Sequence, residues 1–171
     1  MSGALRGWAD SFEGDPGKGV SEIHQGIETL RATGSLGSFS TATNMLAEAI
    51  ANSPDWEAAV PALETAIENM NRYSERLMMP NAYALMGDLL LRQSPGDQET
   101  PENWYRKAID YARDQKTKMW QLRATTRLAR LWHSQGRTKE ARDLLVPMYG
   151  WFTEGFDAID LVEAKALLDQ L

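Results

Sequence analysis

Apolar side chains along this chain recur three and four residues apart, in stretches divided by Gly, Pro, Asn and Ser. Nowhere do they alternate with the period of two that marks a half-buried strand. The spacing predicts amphipathic helices and an all-α fold. Nine helices are expected: residues 4–13, 16–31, 41–51, a fourth opening near Pro54 or Asp55, 81–93, 100–114, two within 121–149, and 157–171. Gly14-Asp15-Pro16 stops the first and starts the second, with Asp15 as N-cap and Pro16 at the first helical position. Pro61 removes a backbone donor from the fourth and should bend or delay it. Thr100-Pro101-Glu102 is a helix start, Gly136-Arg137 a tight turn, and Pro147 limits the eighth helix. In the ninth, Ile159, Val162, Ala166 and Leu167 are expected on the buried side, with Asp157 and Asp160 as N-terminal caps.

The helices come in pairs. Small residues at expected crossings, Gly7, Ala47, Gly87 and Ala129, are spaced by 40, 40 and 42 residues. Behind each, a second helix carries a small or compact residue, a large one and another small or apolar one at i, i+4 and i+7. These triplets are Gly19–Ile23–Gly26, Ala59–Leu63–Ala66, Pro101–Tyr105–Ala108 and Ala141–Leu145–Met148. Such spacing puts all three on one helical face. The small residues let two axes approach, and the large one fills the space between neighbouring pairs. The expectation is a right-handed α-solenoid of four helix pairs plus a C-terminal capping helix. As one repeat domain over 1–171, it has units of about 1–34, 35–79, 80–115 and 116–152 and a cap at about 157–171.

Composition agrees with a packed, soluble-type chain: 43% hydrophobic, 25% charged and no cysteine, so disulfide and thiolate chemistry are excluded. No apolar run approaches the ~18 residues of a membrane span, and MSGALRGWADSFEGD lacks a basic n-region and an apolar h-region, so a cytoplasmic location is expected. The net charge of −6 hides an asymmetry. Trp104 to Arg142 holds eleven Lys and Arg against three acids, leaving −14 on the remainder. A globally acidic chain is a poor nucleic-acid binder, whereas its basic segment could receive an acidic surface. The competing account is that the oppositely charged segments attract each other within the chain.

Catalytic chemistry finds little support. His24 and His133 stand in different repeats without a metal-ligand spacing. The serines near residues 35–40 lack a nucleophile elbow. GDPGKG has neither the preceding strand nor the GK[ST] ending of a phosphate loop, and reads as a turn. No cofactor or metal is called for, and the chain is read as a non-enzyme. The aromatic turn Tyr149–Phe156 is either a partner surface or a wedge seating the last helix, with burial favouring the wedge.

The small crossing residue, the Gly-Asp and Gly-Arg turns and the Ala–large–Ala second helices resemble the tetratricopeptide repeat. The long pitch is similar to that of MalT-type regulators. LRATTRLARLW, QGRTKEARDLLVPMYGWFTEGFD and EAKALLDQL resemble the C-terminal region of large bacterial signalling proteins, in which a cyclase-like or DNA-binding module precedes a predicted ATPase. This resemblance implies a non-catalytic protein- or peptide-binding scaffold serving as a regulatory or sensor module. An alternative is a receptor whose concave groove holds a small effector. It also implies that the first helices line the groove. Asn44, Glu48, Asp88, Arg92, Arg123, Arg127 and Arg130 then face the partner. The three arginines of the seventh helix share one face and suit an acidic peptide. Asn44 and Glu48 do not reproduce a carboxylate clamp, so chaperone C-termini are not the expected ligand. The exposed Leu5 and Trp8 face of the first helix predicts a weak homodimer.

Overall fold

The computed structural model describes residues 16–33, 39–74 and 76–171. The expected first helix, with Gly7, Leu5 and Trp8, lies outside the described residues, as does Asp15. Among the described residues there are eight α-helices and no strand. They are α1 (Pro16–Ala32), α2 (Phe39–Ala51), α3 (Ala59–Tyr73), α4 (Met79–Gln93), α5 (Glu99–Asp114), α6 (Lys118–Ser134), α7 (Thr138–Tyr149) and α8 (Ile159–Leu168). The chain divides between Leu89 and Leu90 into two compact units.

In the first unit α1 packs on α2, and α2 packs on α3. Pro16 opens α1, where its missing N–H costs nothing. Pro61 acts as expected on the next pair. Trp56–Ala58 form a short 3₁₀ turn, and α3 begins only at Ala59, placing Pro61 within the first turn, where the backbone donors have no helical partner. The second-helix register is as read from the sequence. Ile23 on α1 and Ala59, Leu63 and Ala66 on α3 are fully buried, with Met70 extending the α3 stripe. Facing them, α2 buries Ala42, Leu46, Ala47 and Ile50.

The second unit repeats the plan with α5 against α6 and α6 against α7, and α8 lies across both α6 and α7. Tyr105 of α5, Leu122, Leu128 and Trp132 of α6, and Ala141, Leu145 and Met148 of α7 form one core, joined by Leu161, Ala164 and Leu167 of α8. The α6–α7 turn closes on Gly136 at φ 76°. Its N–H donates to the His133 carbonyl at 2.9 Å, and the Arg137 N–H reaches back to Trp132 at 2.8 Å. This is a Schellman turn, whose left-handed position suits glycine. The α5–α6 turn has the same bonds, Lys116 to Arg113 at 3.0 Å and Thr117 to Ala112 at 2.9 Å, with Lys116 held at φ 59°. One turn geometry thus serves both joints, although only one of them has a glycine.

The expected register of the last helix is corrected. The buried side of α8 is Leu161, Ala164 and Leu167, whereas Ile159, Val162 and Ala166 face solvent. Both sides of this helix are apolar, so its pattern alone offers two stripes of similar strength. The difference is measurable. Leu161→Ala should lower stability by about 2–5 kcal/mol, as for a filled core site. Ile159→Ala should stay within about 0.5 kcal/mol, as for a surface site. Urea unfolding of the two variants checks this, and the reverse order would restore the first register.

Candidate functional site

The polar positions of the first helices fall into separate settings. In the first unit Asn44 is fully buried on α2, and neither its Oδ1 nor its Nδ2 has a hydrogen-bond partner. It therefore lies inside the packing and not on a groove surface. Glu48, one helical turn on, is half-buried, and its Oε1 accepts a hydrogen bond from Nδ2 of Asn81 at the start of α4. Asn81 itself is buried. The first-helix polar face here is an interior contact between helices. Asp88 is half-buried and Arg92 exposed, both on α4.

In the second unit Arg123, Arg127 and Arg130 share a face of α6, and α8 meets it with carboxylates. Arg123 Nε and Nη2 donate to the two oxygens of Asp160 at 2.7 and 2.8 Å, a fork-to-fork pair whose carboxylate is mostly sheltered. The Arg123 guanidinium also sits 4.7 Å from the centre of the Trp120 ring. Arg130 reaches Glu163 at 3.7 Å, with both side chains more than half exposed. Arg127 is half-buried between them. Asp160 is thus not a cap. α8 begins at Ile159 without a side-chain capping bond, and the Asp160 carboxylate is spent on Arg123. Attraction between the basic segment and the acidic remainder is realised at this contact.

A second cluster escaped the sequence reading because its members come from three elements. Glu102 opens α5 and accepts from Arg106 Nη2 at 2.7 Å and Nε at 3.1 Å, and from Arg137 Nη1 at 3.0 Å. Arg137, in the α6–α7 turn, is also bidentate to Glu140 at 3.0 and 2.7 Å. The guanidiniums of Arg106 and Arg137 lie 5.1 and 4.4 Å from the centre of the buried Trp132 ring. Burial pushes the Glu102 carboxyl up, but the Trp132 indole and the hydrogen bonds and charge of Arg106, together with Arg137, outweigh it and hold the group below its ordinary 4.5. The indole Nε1 itself makes no hydrogen bond of normal geometry among the described residues. The cluster ties successive helix pairs together at their edge. Of its parts, the sequence marked Glu102 as a helix start and Arg137 as a turn residue, and neither role points to this cluster.

The aromatic turn divides its roles. Tyr149 and Phe152 pack against the core, while Trp151 and Phe156 remain exposed. Phe156 lies 5.8 Å from Tyr149, and Trp151 meets Phe152 edge-on at 5.1 Å. His133 Nδ1 pairs with the Thr138 hydroxyl at 3.2 Å, and His24 is exposed. Among the described residues no three potential ligands gather as a metal site. Nor, among them, is any helix long and apolar enough to cross a membrane.

No protein-family model matches the sequence, and neither does any curated protein. Solved structures do match. A crystal structure of a candidate kinesin light chain from Podosopora anserina, built of nearly identical TPR-like repeats, superposes with a TM-score of 0.71 at 15% identity, over 99% of this chain and 83% of that one. A variant of the same protein gives 0.71 and 15% over 99% and 82%. The fold is a tetratricopeptide-like α-solenoid. Within this TPR-like fold α6 packs between α5 and α7, and α8 lies against both α6 and α7.

Two outcomes follow from these contacts. Arg123→Ala strands a largely buried Asp160 and should cost about 1–3 kcal/mol in urea unfolding, whereas Arg130→Ala should change little. The folded-state pKa of Glu102 lies below its unfolded value. Its contribution is therefore present above the ordinary glutamate range and lost as pH falls through the lowered value. Glu102→Gln should accordingly flatten the decline in thermal stability on acidification below about pH 4.5. An unchanged acid limb would remove the carboxylate from the account.

Proposed function

We propose that this TPR-like chain is a non-catalytic scaffold that binds a protein or peptide partner through acidic side chains. Its strings LRATTRLARLW and EAKALLDQL suggest service as a regulatory or sensor module of a bacterial signalling system. The observation that carries the reading is the arginine face of α6, which already holds carboxylates presented from a helix. Arg123 is committed to Asp160 by a sheltered bidentate pair. Among the described residues Arg130 is paired only with an exposed Glu163 at 3.7 Å. A surface pair of that kind is worth about 0–1 kcal/mol, so an incoming acid can replace Glu163 at small cost. Arg130, with Arg127 beside it, is the part of the face that we assign to the partner.

The second reading is a receptor for a small effector. A cavity of about 230 Å³ lies between the start of α1 and the α2–α3 connection, lined by Gly17, Val20, Ile50, Ser53, Pro54, Asp55 and Ala58. That is below the ~300–1,000 Å³ of typical ligand pockets, and it has few polar groups to orient a ligand.

The test is fluorescence anisotropy with a labelled Asp/Glu-rich peptide. Binding should weaken several-fold between low and physiological salt, since exposed charges are screened beyond ~8–10 Å. Arg130→Ala should weaken it further while leaving the melting temperature near that of the parent. Equal binding by parent and variant would defeat the assignment.

A further inference from the structure

The two acids that α8 lays on α6 are held unequally, and helix geometry accounts for the difference. Arg123 and Arg130 stand seven residues apart on α6, about 10 Å along its axis. Asp160 and Glu163 stand three residues apart on α8, about 4.5 Å. Rows stepped so differently meet closely at one point and stretch at the next. Arg123 and Asp160 take the close point, with hydrogen bonds of 2.7 and 2.8 Å. Glu163 is left 3.7 Å from Arg130, beyond hydrogen-bond length, and both side chains stay more than half exposed. α8 cannot slide to improve this second contact. Leu161, Ala164 and Leu167 are buried in the core that α8 shares with α6 and α7, and Asp160 fixes the helix at Arg123.

The same anchoring keeps Glu163 beside Arg130. A carboxylate carried on a docked helix acts at an effective concentration on the order of millimolar or above, although its contact is weak. An acid arriving from outside must displace it before using Arg130. Asp160, the other carboxylate of α8, is committed to Arg123 by a sheltered bidentate pair and does not yield in the same way. We propose that Glu163 is an autoinhibitory acid of the arginine face: α8 holds it at Arg130 as a resident competitor, and a partner's carboxylate binds by displacing it. This rests on the assignment of Arg130 to the partner and adds the regulation of that site. A segment with a single acid gains little by exchanging with Glu163. A segment with clustered acids can also engage Arg127, half-buried three residues before Arg130. The contact thereby sets a threshold that favours clustered carboxylates.

The test titrates the labelled Asp/Glu-rich peptide with the full chain as parent, Glu163→Gln, Arg130→Ala and the variant carrying both. Glu163→Gln should tighten binding by about two- to fivefold, the scale of one exposed ion pair, with a melting temperature near the parent's. The gain should shrink at high salt, where the pair it removes is already screened. It should vanish in the Arg130→Ala background. Glu154→Gln, which removes an equal charge from an exposed position before α8, should not reproduce it. Unchanged binding by Glu163→Gln would overturn the autoinhibitory role. So would an equal gain in the Arg130→Ala background or from Glu154→Gln, since either would reduce the effect to net charge. In those cases, parent binding that weakens with Arg130→Ala still leaves the arginine face as the partner site. Binding by neither the parent nor Glu163→Gln would remove both readings.

Discussion

Every helix in this protein depends on the close crossing of first and second helices over small residues. Isolated helices of about 10–17 residues are marginal in water, and one amphipathic pair cannot cover its own apolar stripe. Ala59 and Ala66 on α3, and Ala141 on α7, leave room at each crossing for a neighbouring backbone, while Leu63 and Leu145 fill the space between pairs. The alanines contribute little apolar area themselves. Their role is to let the leucines be buried completely, and each leucine then contributes roughly 1.5–3 kcal/mol. Enlarging an alanine would therefore separate the very surfaces whose burial stabilises the stack.

Around this crossing the unit edges are tied by charge. The Glu102–Arg106–Arg137–Glu140 cluster stacks two guanidiniums near Trp132, and Arg123 clasps Asp160 beside Trp120. Both place an arginine between a carboxylate and an indole, where its planar, weakly hydrated head serves the two at once. Three of the eleven cations of residues 104–142, Arg106, Arg123 and Arg137, are taken up in such internal duties.

Sequence carried the second-helix register well because alanine, leucine and glycine at fixed spacing have only one use at a helix crossing. It carried the delayed start of α3 because Pro61 has only one chemistry. It did not carry the register of α8, where Ile159–Val162–Ala166 and Leu161–Ala164–Leu167 compete as equal stripes and only contact with α6 and α7 selects between them. Nor could it place Asn44, which the resemblance put on a groove face and which is fully buried on α2. Asp160 was misread for a related reason. An acid at a helix start has a common local role, and its partner lies 37 residues away.

The paired turns at Gly136 and Lys116 bear on how such a chain can change over time. Two joints with the same backbone bonds tolerate different residues at their left-handed position, so the joint is set by its shape and not by one residue type. A chain only 15% identical shares the fold. Only a handful of crossing and filling positions in each ~40-residue unit are tightly bound to the architecture. The outward faces between them are free to be rewritten, so the surface can change while the stack keeps its shape.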